Sequence, residues 1–235
     1  MGFAVDQRVY DLFPGLTLVV VVAKGVDNEK PHPAIRQALT ETCANLRDTW
    51  SFPNAQSHPY VKAWRHAFQV MGISGKEFRS SIEALTRRAL AGRGLPDINP
   101  VVDFYNSVSL KYLVPAGGWD LDDISGGEIT LRVTSGGEPF TALGEQQAES
   151  VEAGEVAYAD NDRVITRHFV WRQAEKGKIK PETENLFLIS EILPEAGLSV
   201  ARDVERALVN GLQEYFGARA QSAILTSDRL RWDWS

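Results

Sequence analysis

Leu16 to Ala23 is an apolar run interrupted only by Thr17, and its valine content reads as a strand buried on both faces. Downstream the period changes to that of helices. Ile35, Leu39, Thr42 and Leu46 recur at spacings of four, three and four, as do Phe78, Ile82, Leu85 and Ala89, and between these stripes Tyr60, Trp64, Phe68 and Met71 recur at four, four and three. Pro53 and Pro59 part the first two of these helices, and Gly72 and Gly75 part the second pair. A connector rich in helix breakers, Gly92 to Pro100, leads to a fourth helix with Val101, Tyr105, Val108 and Tyr112 as its buried stripe. Asn106, Ser107 and Ser109 sit inside that helix. Short hydrogen-bonding side chains compete with the helical backbone, so their presence there implies that the fold uses them.

The second half reads mainly as strands. Glu128 to Val133 alternates apolar and polar residues, and further strands are predicted at Glu155–Ala159, Arg163–Val170 and Leu186–Leu193. Through Arg163–Glu175, alternation places Val164, Thr166, His168 and Val170 on one face and Ile165, Arg167, Phe169 and Trp171 on the other. Two Ser-Gly-Gly-Glu tetrapeptides, Ser125–Glu128 and Ser135–Glu138, read as turns; neither precedes a helix or carries the Gly-Lys-Ser/Thr ending of a phosphate loop. A last helix, with Ser199 as its cap, turns Val200, Val204, Ala207, Leu208, Leu212 and Tyr215 inward, and Ala223–Leu225 adds a closing edge strand. The fold class is therefore α+β, a mostly antiparallel sheet with flanking helices.

At 235 residues, 43% hydrophobic and 24% charged, the chain suits one large domain or two small ones. A single cysteine, Cys43, excludes an intramolecular disulfide and points to a reducing, cytoplasmic setting; its place on a helix far from any His-bearing motif points to a structural role. The longest apolar run is too short to span a bilayer, and the N-terminus lacks a signal-peptide layout, so no membrane is expected. A net charge of −6 argues against binding nucleic acid by general phosphate neutralisation, but leaves open a hold on the end of an RNA. Arg79, Arg87, Arg88 and Arg93 form either a local basic face or a solvated one.

Familiar nucleophilic motifs are absent: there is no Gly-x-Ser-x-Gly elbow, no Cys–His pair in a catalytic context and no Ser-x-x-Lys. His58 and His66 lack the carboxylates of a metal pattern, and neither a metal nor a cofactor is expected. Asp120, Asp122 and Asp123 make either a turn or a cation site, and Asp160, Asn161 and Asp162 make a turn. His168 is a general base or a partly buried hydrogen bonder. Trp171, Arg172 and Gln173 combine a flat ring, a forked cation and an amide, which suits a pocket for a carbonyl or carboxylate, or an edge-strand Trp covered by Arg.

Six motifs then occur in a telling order: Val-Asp-x-x-Asn-x-Val-Ser-Leu (Val102 to Leu110), Val-Pro-Ala-Gly-Gly-Trp-Asp-Leu-Asp (Val114 to Asp122), Gly-Glu-Ile-Thr-Leu-Arg-Val (Gly127 to Val133), Gly-Glu-Val-Ala-Tyr-Ala-Asp (Gly154 to Asp160), Trp-Arg-Gln (Trp171 to Gln173) and the strand from Thr183 to Glu191. Together they resemble the B3/B4 domain of the phenylalanine–tRNA ligase β subunit in its free-standing form. The resemblance is strongest over residues 64–216 and implies one domain over 1–235, with 1–63 an N-terminal strand and helix extension. In the synthetase that domain hydrolyses the ester joining a wrong amino acid, chiefly tyrosine, to tRNA.

The resemblance thus implies a deacylase acting in trans on mischarged aminoacyl-tRNA at its 3′ end. An aminoacyl ester is already activated, so a positioned water and oxyanion donors suffice. On this reading Asn106 and Ser109 hold the amino acid, Trp171 stacks, Arg172 and Gln173 hold the carbonyl or terminal ribose, and Glu175 or His168 positions water. Gly117 stands where the family's Pro-x-His-x-Phe-Asp turn carries histidine, which alters the pocket. Glu175 replaces the editing glutamate by spacing. The alternative is a non-catalytic module that binds a free amino acid or tRNA, and a third reading is a partner-binding domain with a vestigial pocket.

Overall fold

In the computed structural model, which describes residues 1–234, the chain opens with β1 (Gly2–Val5), α1 (Gln7–Leu12) and β2 (Thr17–Lys24). Four helices follow: α2 (Pro33–Thr49), α3 (Pro59–Val70), α4 (Ser81–Leu90) and α5 (Pro100–Tyr112). Then come β3 (Ala116–Asp120), β4 (Glu128–Val133), the short β5 (Pro139–Phe140) and β6 (Glu149–Ser150), β7 (Val156–Asp160), β8 (Arg163–Arg167), β9 (Arg172–Gln173) and β10 (Asn185–Ile192). The described chain ends with α6 (Gly197–Phe216), β11 (Arg219–Leu225) and β12 (Arg231–Asp233).

The strands build a six-stranded sheet, β12-β1-β4-β7-β8-β9, and a four-stranded sheet, β11-β2-β10-β3, with β5 and β6 as a separate hairpin. Pairing is antiparallel except between β1 and β4. The fold is α+β, as the pattern of elements predicts.

The valine run of β2 explains the layering. Leu18, Val20 and Val22 point into a core between the two sheets, whereas Val19, Val21 and Ala23 face α5 and α6. A strand buried on both faces needs no polar alternation, so it reads as continuous apolar sequence. The inter-sheet core is aromatic, with Phe3, Trp119, Tyr158, Phe169 and Phe187. A third, smaller cluster joins α2, α4 and α5 through Leu39, Cys43, Ala89 and Leu110. Cys43 is buried there and its thiol is pushed up by desolvation, the behaviour of a packing residue.

The N-terminal segment is woven into both sheets rather than appended to them. β1 lies between β12 and β4, and β2 lies between β11 and β10. The strand β1 and the helix α1 are not visible in the hydrophobic period, because each is too short to display one.

Three other sequence expectations shift. The last helix begins at Gly197 with Ala196 as its cap, and Ser199 caps nothing. The carbonyl of Leu193 already receives the amides of Ala196 and Gly197, which starts the helix earlier. Its inward face is correspondingly set by Ala201, Val204, Leu208, Gly211, Leu212 and Phe216. The strand expected over Arg163–Val170 stops at Arg167, because His168 and Phe169 take φ of 48° and 63° and break the alternation.

Helix α5 is buried on most of its circumference, and its two serines are both hydrogen-bonded. Ser107 Oγ lies 3.2 Å from Thr42 Oγ1 on α2. Ser109 Oγ donates to the carbonyl of Val114 at 2.6 Å, closing the turn that Leu113 opens in the left-handed region. That closure aims the chain into β3. Two glycines on β3 then behave oppositely. A Cβ at Gly117 would meet nothing within 4 Å, whereas at Gly118 it would lie 2.7 Å from the Phe187 carbonyl and 2.5 Å from Leu188 Cδ2. Gly118→Ala is expected to cost about 1–3 kcal/mol by overpacking. Gly117→Ala should stay within about 0.5 kcal/mol. Chemical denaturation of the two variants side by side checks this contrast.

Candidate functional site

A cleft of about 180 Å³ opens between the two sheets where α5, β3, β7, β8 and β10 converge with the Phe169–Gln173 segment. Its depth is aromatic and acidic: Trp119, Tyr158, Phe169, Ile189 and Glu191 line it and are all under 9% exposed. Its rim is polar and more open, with Asn106, Gly117, Thr166, Trp171, Arg172 and Gln173. A wider groove of about 540 Å³ runs between α2, α5 and α6, but its charged side chains, Glu41, Lys111 and Glu214, are exposed. Of these two, the inter-sheet cleft alone is lined by a buried acid, the usual mark of a binding site.

The rim is held by a kink. Consecutive left-handed residues without glycine are strained, and here both are aromatic or imidazole side chains. Glu155 over-determines the geometry. Its carboxylate accepts the His168 amide at 2.7 Å and the Arg167 guanidinium at 2.8 to 3.2 Å. The Phe169 amide donates to Val156 O, and the Val170 amide returns to His168 O at 2.7 Å. The first amide of α4, at Ser81, donates to Val170 O. This kink drops Phe169 into the core and turns Trp171 and Arg172 back over the cleft.

At the deep end, the Tyr158 hydroxyl donates to Glu191 Oε1 at 2.6 Å. Glu191 follows Phe187 and Ile189 on the face of β10 turned toward the inter-sheet core. Burial pushes its carboxyl up to about 7, with the Tyr158 hydrogen bond opposing that rise. Burial likewise raises the Tyr158 phenol well above its ordinary value, so it remains a donor. Among the described residues no cation lies within ion-pair distance of Glu191. The indole N–H of Trp119 is also buried without a hydrogen-bond partner.

The structure brings Asn106, Gly117, Trp171, Arg172 and Gln173 together on one cleft. Gln173 spans it, its amide donating to the Gly118 carbonyl at 2.9 Å. Arg172 is 42% exposed and reaches Glu145 at 3.5 Å. Ser109, Glu175 and His168 stand elsewhere. Ser109 is committed to the turn after α5. Glu175 lies at the surface beside the cleft wall, accepting from the Gly144 amide and pairing with Lys178, which holds its carboxyl below the usual range. The His168 ring packs between Phe78 and Trp171, outside the cleft lining, and burial lowers its pKa. The acids of the Asp120–Asp123 turn are occupied by protein donors. Asp120 accepts from Thr183 at 2.7 Å, Asp123 from the Gly177 amide, and Asp122 from Asn185. No metal-ligating cluster occurs among the described residues. No helix of the described chain is long and apolar enough to cross a membrane.

Reading the residues one by one does not single out Glu191 or Tyr158. A signal is nonetheless present: an acid inside the apolar run Leu-Phe-Leu-Ile-Ser-Glu-Ile-Leu is uncommon, because burying a carboxylate is costly.

The family model described as the B3/4 domain matches residues 63–209, a span holding all the cleft-lining side chains. The chain belongs to the B3/4 domain family. Relatives of this B3/4 protein include the phenylalanine–tRNA ligase β subunit of Yersinia pestis, 28% identical over 172 residues, covering 73% of this chain and 21% of the relative. The corresponding subunit of Geobacter metallireducens is 32% identical over 118 residues, 50% of this chain and 14% of the relative. The chain thus spans about a fifth or less of the length of these relatives. A solved N-terminal fragment of the phenylalanyl-tRNA synthetase β subunit from Pyrococcus horikoshii aligns with 95% of this chain and 54% of its own at 13% identity, with a TM-score of 0.49.

Proposed function

We propose that this B3/4 protein binds the aminoacyl end of a mischarged tRNA in the inter-sheet cleft and hydrolyses its ester in trans. The observation that carries the reading is the cleft itself, an aromatic-lined pocket for a side chain under a polar rim for the ester and ribose. Membership of a family shared with phenylalanine–tRNA ligase β subunits supports a tRNA-related role. Ser81 at the start of α4 lines the cleft; Arg79, just before that helix, and Arg87, within it, are half-exposed around buried Glu83. Those cations offer a phosphate backbone a local hold despite the acidic net charge.

The chemistry asks little of the protein. The ester carbon is electrophilic, so water attack is assisted by holding the acyl group still and by donors toward the developing oxyanion. Arg172 is the charged donor on the rim, and Asn106 adds an amide. His168 and Glu175 lie outside the lining, so water is held by rim groups on this reading. Arg172→Ala should slow deacylation at least tenfold, equivalent to about 1.4 kcal/mol of barrier. Because Arg172 is exposed, its loss should leave the melting temperature within about 2 °C.

The test is deacylation of a panel of correctly and incorrectly charged tRNAs. Selective loss of one mischarged species supports the reading. A second reading, an amino-acid-binding module without turnover, is favoured by the lack of a Cys or His among the cleft-lining residues. It becomes the working model if every ester survives as in buffer while an amino acid raises the melting temperature.

A further inference from the structure

Glu191 presents a problem that the proposed hydrolysis does not use. Its side chain is 4% exposed, it lines the cleft, and its hydrogen-bonding partner on another residue is Tyr158. A buried carboxylate without a cation is poorly compensated, since one neutral donor replaces little of its lost hydration. Around it stand Trp119 and Tyr158, ring centroids 4.9 Å apart, with Tyr105, Phe169 and Trp171 lining the same cleft. Aromatic faces carry negative potential and attract cations, most strongly when water is excluded. Carboxylate and rings therefore favour the same kind of guest.

We propose that the deep end of the cleft is a subsite for a protonated nitrogen at the tip of the ligand's side chain, held by Glu191 and caged by the surrounding rings. This rests on the aminoacyl reading above and names its substrate class: amino acids with a cationic side chain. Depth decides which nitrogen is meant. The ester must reach the rim groups Arg172 and Gln173, which are partly exposed, so the α-amino group remains near the mouth while the tip reaches Glu191. A neutral aromatic side chain would fill the same volume but leave the carboxylate uncompensated.

The test is binding of five amides to the intact protein, measured by calorimetry: L-lysine amide, L-norleucine amide, L-tyrosine amide, Nα-acetyl-lysine amide and Nε-acetyl-lysine amide. Lysine amide should bind at least tenfold more tightly than norleucine amide or tyrosine amide. Acetylation of the side-chain nitrogen should abolish that preference, and acetylation of the α-nitrogen should preserve it. Glu191→Gln, which retains an acceptor for Tyr158, should reduce the preference for lysine amide over norleucine amide at least tenfold. The proposal is overturned if norleucine or tyrosine amide binds as well as lysine amide, if the α-nitrogen proves to be the one that matters, or if none of the five binds the folded wild type. It is also overturned if Glu191→Gln slows ester hydrolysis without changing affinity, which would make the carboxylate a base for water. Lysine selectivity without any deacylation would sink the hydrolase reading and leave this subsite standing.

Discussion

Glu155→Ala is expected to destabilise the protein by about 3–5 kcal/mol, the usual cost of removing one partner from a buried ion pair. The side chain is 5% exposed and serves two groups at once, the Arg167 guanidinium and the His168 amide. Its loss leaves Arg167, itself 14% exposed, with only the exposed Glu149 as a carboxylate partner, and leaves the His168 amide without an acceptor. The same change removes what balances two strained residues, His168 and Phe169. Destabilisation should therefore be accompanied by weaker ligand binding, because Trp171 and Arg172 are aimed by that kink. Urea unfolding of Glu155→Ala, Arg167→Ala and the double variant checks it. A strongly non-additive cycle is expected. A loss below about 1 kcal/mol in the single Glu155 variant would remove the network from the account of the rim.

Glu191→Gln is expected to stabilise the unliganded protein at neutral and alkaline pH and to do little in acid. Burial raises the folded-state carboxyl from 4.5 to about 7. Between those values the folded chain holds a proton that the unfolded chain has released, so stability falls as pH rises through the window. Below about pH 4.5 both states are protonated and the penalty vanishes. Above about pH 7 it is fully present, on the order of 3 kcal/mol. Tyr158, the titratable group hydrogen-bonded to Glu191, stays protonated throughout. The substituted amide carries no charge, so the melting-temperature difference should grow from near zero at about pH 4.5 to roughly 6–10 °C at about pH 8. A difference that is flat with pH would show that the carboxylate is already compensated in the free protein. A stabilising effect of this size at a functional position is the familiar trade between stability and a binding site.

Much of the site is legible in local sequence. Asn106 and Trp171 to Gln173 stand out as short-range oddities, a polar residue in an apolar helix and a ring-cation-amide triplet, and Gly117 through the resemblance, as a glycine where the family carries histidine. All five line one cleft. Ser109 carries the same local signature as Asn106, yet its hydroxyl closes a turn, because three residues along a helix and a left-handed residue at its end send the two side chains to different neighbours. His168 reads as a strand residue, but the backbone turns at His168 and Phe169, whose amides donate to Glu155 and to the Val156 carbonyl.

Residue order alone dictates whatever repeats over one element. The valine run dictated a strand buried on both faces, the three- and four-residue spacings dictated the helices, and the Ser-Gly-Gly-Glu pairs dictated turns that Asp160 and Glu138 staple. The order of motifs carried the family. Which side chains share the cleft depends on long-range strand pairing. Tyr158 and Glu191 are 33 residues apart on different sheets, and they meet because β10 is registered between β2 and β3 while β7 is registered between β4 and β8. Register across strands depends on the summed packing of both faces, which no short window contains. The kink at His168 and Phe169 is likewise held by a glutamate from outside its own strand. Local period sets the elements, and long-range pairing sets the chemistry they enclose.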